Sequence, residues 1–232
     1  MTPAAKPTNP AAPPTLVPVR IWDLPTRLFH WGLLVAVATA WISGKNGWWQ
    51  AHFLAGFSVL ALVLFRLLWG VLGSESSRFV SFMRGPVSAL SHLWGVLRGR
   101  PDHDTSHNAL GGWAVVLMLA LLGGQATMGL IADADDGLTY GPLMDYAPPP
   151  LVELATSLHK QNAWLILAVA GLHVFAVLTY WLVGGRNLIK PMVTGTKALP
   201  AGTRAPRMAS LWVAIGLFLL CAAAVRGVAS LG

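Results

Sequence analysis

The sequence predicts an all-α integral membrane protein, and three observations support this class. Only 11 % of the 232 residues are charged, against roughly 25 % in an average soluble domain. Apolar residues make up 55 % of the chain, and the mean hydropathy is +0.59. The apolar residues are concentrated in long continuous runs. This composition excludes a disordered chain, a nucleic-acid-binding tail and an ordinary soluble enzyme.

Five of these runs are long enough to be membrane-spanning helices, because a span needs about 20 apolar residues. Helices are favoured because lipid offers no partner for unpaired backbone groups. The runs cover approximately 26–44, 50–72, 110–131, 158–184 and 209–227. We expect the first four to form a four-helix transmembrane bundle, and the last to be a fifth, C-terminal transmembrane helix.

The segments outside the bundle define the expected domain organisation. Residues 1–18 are mostly Ala, Pro and Thr and lack the apolar core of a signal peptide, so they predict a flexible cytoplasmic tail. Residues 19–197 then form the four-helix core, and 198–232 form a linker and the extra helix.

The distribution of basic residues predicts the orientation. With the N-terminus in the cytoplasm, 13 of the 16 Lys and Arg residues fall on the cytoplasmic side and three fall outside, as the positive-inside rule requires. The inside set is Lys6, Arg20, Arg27, Arg66, Arg78, Arg84, Arg98, Arg100, Arg186, Lys190, Lys197, Arg204 and Arg207; the outside set is Lys45, Lys160 and Arg226. The net charge of +7 is thus an orientation signal and not a nucleic-acid-binding one.

The outside segment between the third and fourth runs is acidic. It contains Asp133, Asp135, Asp136, Asp145 and Glu153. This face either docks a basic redox partner by charge complementarity or is simply a solvated loop, and the sequence leaves both interpretations open.

Four of the seven histidines lie within or at the ends of the apolar runs: His30, His52, His159 and His173. An ionisable group at membrane depth indicates a functional site, although a histidine hydrogen-bonded to a neighbouring helix is the alternative for each one alone. His92 and His103 lie in the inner loop and are expected to be solvated. His107 opens the third run.

The topology arranges these four histidines in two pairs. Fourteen residues separate His159 from His173, about 21 Å along a helix and on nearly the same face. The fourth helix can therefore offer one ring at each of two levels. Because successive helices alternate in direction, His52 matches the outer level of His159, and His30 matches the inner level of His173.

Two facing imidazoles from different helices suit a planar haem held between them. Zinc fits less well, since it prefers four ligands and few carboxylates lie near these levels. The single cysteine, Cys221, excludes a cysteine-based cluster. The sequence therefore predicts two bis-histidine haems, which have no open iron site and serve in outer-sphere electron transfer.

Small and basic residues near the histidines are further candidates for cofactor binding. Gly56 and Gly171 would let a porphyrin approach the helix backbone, or are ordinary helix-packing residues. Arg27 and Arg66 would pair with propionates of the inner haem, or extend to lipid headgroups.

Several stretches resemble one known family, the prokaryotic cytochrome b-561 group of di-haem membrane cytochromes, which is related to the cytochrome b subunits of nickel–iron hydrogenases. The matching stretches are IWDLPTRLFHW (21–31), AHFLAG (51–56), FRLLWGVLGS (65–74), RFVSF (78–82), HNALGGW (107–113) and the LHK and LHVF segments of the fourth run. The resemblance covers about 19–197. It departs from the family pattern at Ala109, where relatives carry proline, and in the fifth run, which lies outside the four-helix core.

The resemblance implies a bacterial inner-membrane protein with two b haems, ligated at His30, His52, His159 and His173. It implies electron transfer between the quinone pool and a partner such as a c-type cytochrome. A quinone site is expected on the inner side near Arg78, His107 and Asn108, although the last two residues are equally suited to helix capping.

Three alternatives stay open at this stage. The chain is alternatively the cytochrome b subunit of a hydrogenase-like complex, or a superoxide/quinone oxidoreductase that uses the same haems. A third alternative, from another class, is a proton-coupled transporter with a histidine relay. The scarcity of polar residues in the helices, where Gln125 and Thr127 are nearly alone in the third run, disfavours the transporter.

Overall fold

The computed structural model describes residues 15–83, 85, 87–88, 91, 94, 109–134 and 138–232. The predictions for Lys6, Arg84, His92, Arg98, Arg100, His103, His107, Asn108, Asp135 and Asp136 lie outside these residues.

The described chain is mostly helical, with one helix for each apolar run. The long helices are α1 (Leu24–Asn46), α2 (Trp49–Leu72), α4 (Ala109–Gly129), α5 (Pro149–Leu182) and α7 (Leu211–Ala229); α3 (Phe79–Phe82) and α6 (Ile189–Thr194) are short. Four of the described helices, α2, α4, α5 and α7, are long and apolar enough to cross a membrane. Helix α1 has a suitable length but is not in that set, since Arg27, His30 and Lys45 reduce its apolar character.

Helix α5 differs most from its expected extent. It begins at Pro149, nine residues before the predicted run, and continues for 34 residues. Proline is favoured in the first turn of a helix, where its missing N–H has no partner to lose. The first turns therefore extend the helix beyond the continuous apolar run; they carry Glu153 and lead into the His159 turn.

A two-stranded sheet joins the two ends of the core. Strand β1 (Leu16–Arg20) pairs antiparallel with β2 (Thr196–Pro200), with Pro18 opposite Ala198. Residues 16–18, which were expected to belong to a flexible tail, are thus in a strand, because a partner strand 180 residues away satisfies their backbone groups. The backbone N–H groups of Ile21 and Trp22 continue this contact by donating to the carbonyl of Gly195.

The core is centred on α2, which packs against α1, α4 and α7. Trp69 is completely buried, and Val63 and Phe65 lie beside it in the same cluster. Small residues of α7, Ala214 and Cys221, are buried in this cluster as well. Helix α7 is therefore a packed part of the described structure.

The 3₁₀ turn Glu75–Ser77 fixes the start of α7. The backbone N–H of Glu75 donates to the carbonyl of Arg207, and the backbone N–H of Arg207 donates to the Glu75 carboxylate at 3.0 Å. The N–H of Ala209 donates to Ser74 Oγ at 2.9 Å, and Arg204 forms an ion pair with Glu75 at 3.2 Å. These contacts position α7 alongside α2.

Candidate functional site

His52 of α2 and His159 of α5 face each other near one end of the bundle, called here the His52 end. Their ring centres are 6.1 Å apart, and the ring planes are 79° apart. The Nδ1–H of His52 donates to the carbonyl of Ala40 at 2.8 Å, and that of His159 donates to the carbonyl of Gln125 at 3.0 Å. Each ring is thus anchored through Nδ1, which leaves Nε2 free to bind a metal ion.

Two glycines make room for these rings. A Cβ atom at Gly44 of α1 would lie 2.9 Å from His52 Nδ1, and one at Gly129 of α4 would lie 2.9 Å from His159 Cε1. A side chain at either position would displace the imidazole. Neither glycine is recognisable from the sequence as part of the site, because only the fold shows that each lies opposite a histidine.

A polar network in the bundle interior holds the His159 turn against α4. Gln125 Nε2 donates to the backbone carbonyl of His159 at 3.1 Å. Asn162 Nδ2 donates to Gln125 Oε1 and to the carbonyl of Leu121, both at 2.9 Å. In the sequence, Gln125 stands out only as one of the few polar residues of its run, and nothing distinguishes Asn162. Together they fix the helix turn that carries the ring.

His30 of α1 and His173 of α5 form the second pair, near the opposite end of the bundle, called here the His30 end. Their ring centres are 6.4 Å apart, and the ring planes are 55° apart. The Trp31 ring packs edge-on against His30 at 5.0 Å. His30 Nδ1 is buried and has no hydrogen-bond partner among the described residues. His173 lies on an exposed stretch of α5.

A buried carboxylate organises the chain at the His30 end. Asp23, which is 3 % exposed, caps α1 by accepting from the N–H of Thr26 at 2.7 Å. It also accepts from Trp69 Nε1 at 3.1 Å and from Ser77 Oγ at 3.2 Å. One side chain thereby joins the start of α1 to the end of α2 and to the following turn, and it fixes the position of the His30 turn.

The two arginines predicted as propionate partners lie at this end but in different surroundings. The Nη1 of Arg27 donates to the carbonyl of Val193, and its Nε is buried without a partner in the described chain. Arg66 is 3 % exposed and lies over the Phe79 ring at 4.8 Å. Its Nη1 also has no hydrogen-bond partner among the described residues. Each guanidinium therefore retains a buried donor for an anion.

The predicted glycines Gly56 and Gly171 lie beside open space, since a Cβ at either position would meet nothing within 4 Å. Neither glycine is needed for helix packing against the described chain. Their role in cofactor binding stays a prediction.

The region predicted to bind quinone is only partly described, because His107 and Asn108 lie outside the described residues. Arg78 is exposed, and its Nε donates to the carbonyl of Gly73 at 2.8 Å, which closes the end of α2.

At the His52 end, an open cleft of about 710 Å³ lies between α5 and the segment that precedes it. Its lining includes three acidic residues, Asp133, Asp145 and Glu153, together with Lys160, the neighbour of His159. The described part of the predicted acidic face is therefore next to the His52–His159 pair.

A second aromatic contact closes the same end. The Trp41 ring of α1 packs edge-on against the Trp164 ring of α5, with centres 4.7 Å apart. The Lys45 ammonium group lies 5.1 Å from the first ring centre and 4.9 Å from the second. These cation–π contacts tie α1 to α5 one turn from the histidine pair.

The spacing within each pair fits two axial ligands of one metal ion. Two imidazoles whose nitrogens each lie about 2 Å from a shared metal have ring centres about 6 Å apart. Within the described part of the chain, no three His, Cys, Asp or Glu side chains group closely enough to hold one metal ion. The donor set at each level is therefore two imidazoles, which matches bis-histidine haem rather than tetrahedral zinc.

Residues 21–195 match the family described as prokaryotic cytochrome b561, which is well over half of the chain. Comparisons with curated proteins and with solved structures give no significant match. The family match covers both histidine pairs, the β1–α1 connection and the end of α6. The chain therefore belongs to the prokaryotic cytochrome b561 family of membrane electron-transfer proteins, whose cofactor is b-type haem.

Proposed function

We propose that this protein carries electrons through the membrane by means of two b haems, one held by His52 and His159 and the other by His30 and His173. The observation that carries the proposal is the presence of two facing histidine pairs at opposite ends of one bundle, at ring-centre distances of 6.1 Å and 6.4 Å. A haem held by two imidazoles would supply one-electron, outer-sphere redox chemistry, since both protein ligands would leave no place on the iron for a substrate.

The residues of the chain perform the tasks that such a cofactor requires. Gly44 and Gly129 give the His52 and His159 rings room, and the carbonyls of Ala40 and Gln125 fix their orientation. Arg27 and Arg66 supply buried N–H donors for propionate oxygens at the His30 end. Gly56 and Gly171 leave open space beside the helix backbone for the porphyrin edge.

We place the protein in the bacterial inner membrane with five spans, formed by α1, α2, α4, α5 and α7, and with a cytoplasmic N-terminus. The basic residues support this orientation, since Arg20, Arg186 and Lys190 cluster at the His30 end. The His30 end then faces the cytoplasm, and the acidic cleft faces the periplasm.

We propose quinone and a basic periplasmic protein, such as a c-type cytochrome, as the two redox partners. The acidic cleft supports the second partner, because Asp133, Asp145 and Glu153 give a cationic protein a complementary surface beside His159. Quinone remains the proposed partner at the His30 end.

The experiment that tests this function uses the purified protein in liposomes. We expect a reducible b-type spectrum and electron transfer, mediated by the protein, between a quinone and a basic c-type cytochrome at low salt. A folded, colourless protein would overturn the proposal. Metal-dependent ion flux that persists without haem would instead support the transporter alternative.

A further inference from the structure

We propose that the His52–His159 site has the lower reduction potential of the two, so that the one-electron-reduced protein holds its electron at the His30–His173 site. This inference rests on the proposed function, and it assigns a direction to it. Neither the family nor the histidine pairing determines which site is the stronger reductant.

The two histidine pairs differ in their hydrogen bonding. At the His52 end both Nδ1–H groups donate to backbone carbonyls, at 2.8 Å and 3.0 Å. At the His30 end, His30 Nδ1 is buried without a partner among the described residues, and the His173 ring forms no hydrogen bond with them. A hydrogen bond from the second ring nitrogen makes an imidazole a more basic ligand. More basic ligands stabilise the oxidised metal and lower its reduction potential.

The two ends of the bundle also differ in their charge. Helices α2 and α5 run in the same direction, and Arg66 follows His52 by the same 14 residues that separate His173 from His159. Arg66 therefore lies at the level of His173, about 21 Å from the His52 level. Arg66 is buried, and the negative charge of Asp23 interacts with its guanidinium group.

Arg27 adds a second positive charge near His30, so the described charges at that end sum to a positive value. At the His52 end, the three acidic residues of the cleft are equal in number to the basic residues Lys45, Lys160 and Arg226, so the described charges there sum to zero. A positive environment favours the reduced, less positively charged metal, and a negative environment favours the oxidised one. Hydrogen bonding and charge thus both make the reduction potential of the His52–His159 site lower than that of the His30–His173 site.

The difference in reduction potential gives electron transfer between the two sites a thermodynamic direction. Electrons that enter at the His52 end are more stable at the His30 end, and no bond or proton changes position in reaching this distribution. With the orientation proposed above, the chain is built to accept electrons on the periplasmic side and to deliver them on the cytoplasmic side.

The test is an equilibrium redox titration of the haem-loaded, full-length protein, followed by its optical spectrum. Variants His159→Met and His173→Met assign the components, because a methionine ligand raises the potential of its own site. We expect His159→Met to raise the lower-potential component and His173→Met to raise the higher one. The reverse assignment, or two components of equal potential in the unaltered protein, would overturn the inference.

A second pair of variants tests the cause without altering a ligand. Gln125→Leu keeps the backbone carbonyl that accepts from His159 Nδ1 but removes the side chain that holds the His159 turn against α4. The Nδ1 hydrogen bond should weaken, and only the lower component should rise. Thr127→Val is the matched control on α4, since this hydroxyl bonds only to carbonyls of its own helix, and it should shift neither component. A shift of the higher component in Gln125→Leu would contradict the argument.

The order of the two potentials tests this inference, and the number of haems per chain tests the proposed function on which it rests. Two haems per chain with the opposite order of potentials overturn the direction and leave the function intact. Fewer than two haems in the unaltered protein overturn the function itself.

Discussion

His52 and His159 are 107 residues apart in the sequence and lie on different helices, α2 and α5, yet their ring centres are only 6.1 Å apart. Both rings are anchored by Nδ1 hydrogen bonds to backbone carbonyls of two further helices, α1 and α4. Four helices thus converge on one pair of rings. This arrangement explains why single substitutions on helices that carry no ligand are expected to affect the cofactor.

The glycine opposite each ring gives the first prediction. Gly129→Ala should cause loss of the haem at the His52–His159 site, because the new Cβ would lie 2.9 Å from His159 Cε1. Gly44→Ala should act in the same way on His52. Gly123→Ala is the control, since its Cβ would make only an ordinary contact, 3.7 Å from Val63. Haem content per chain measures the effect; full occupancy in both ring-facing variants would show that the rings do not need this space.

The second prediction concerns the buried Asp23 carboxylate. Asp23→Ala removes the α1 cap, leaves Trp69 Nε1 without an acceptor and removes one of the hydrogen-bond partners of Ser77 Oγ. Loss of a cap and of buried acceptors predicts a destabilisation of about 2–4 kcal/mol. Unfolding of the purified protein by increasing sodium dodecyl sulfate measures this change. Asp145→Ala, at an exposed position, is the control and should behave like the unaltered protein.

The third prediction concerns Glu75, which lies outside the membrane-spanning helices. The backbone N–H of Arg207, aided by the charges of Arg204 and Arg207, lowers the pKa of Glu75 from its ordinary value of 4.5. A lowered pKa means that ionised Glu75 stabilises the folded state above pH 4.5, and that this contribution is lost as the pH falls through the folded-state value.

Glu75→Gln should therefore lower the thermal unfolding midpoint at pH 7 but not under strongly acidic conditions, where the two proteins should converge. The effect is expected to be small, because Glu75 and Arg204 are 38 % and 71 % exposed and their ion pair is screened by solvent. An equal difference between the two proteins at both pH values would show that the charge of Glu75 is not the cause.

The fourth prediction concerns the acidic cleft. The double variant Asp145→Asn, Glu153→Gln should slow electron exchange with a basic c-type cytochrome and reduce its dependence on ionic strength, because charge complementarity steers the encounter. Stopped-flow kinetics at several salt concentrations measures both effects. As a control, the rate of reduction of the same variant by a small neutral quinol should be unchanged. If the variant and the unaltered protein react with the cytochrome at equal rates, the cleft does not bind the cytochrome.

The helices and the histidine pairing were predictable from the sequence because both follow from local periodicity. Apolar runs mark the helices, and the 14-residue spacing on α5 fixes two ring positions without knowledge of the packing. The boundaries of α1, α2 and α4 fall within about two residues of the predicted runs. Helix α5 begins earlier, since two prolines, Glu153 and two hydroxyl residues interrupt the apolar pattern of its first turns.

The features that the sequence did not reveal all depend on contacts between distant segments. The β1–β2 pairing joins strands of five residues about 180 positions apart, and such short segments carry no distinctive periodicity. Gly44 and Gly129 matter only because a histidine of another helix lies opposite each of them. Gln125 and Asn162 form a network whose partners are mostly backbone carbonyls, which every residue possesses.

The central claim, that each histidine pair holds one haem, is tested most directly by the haem-to-protein ratio of the unaltered protein and of two single variants. The account predicts two b haems per chain in the unaltered protein, and one in each of His159→Ala and His173→Ala. The remaining haem should differ between the two variants in its reduced spectrum or its potential. A ratio of one or zero in the unaltered protein, or of two in either variant, would contradict it.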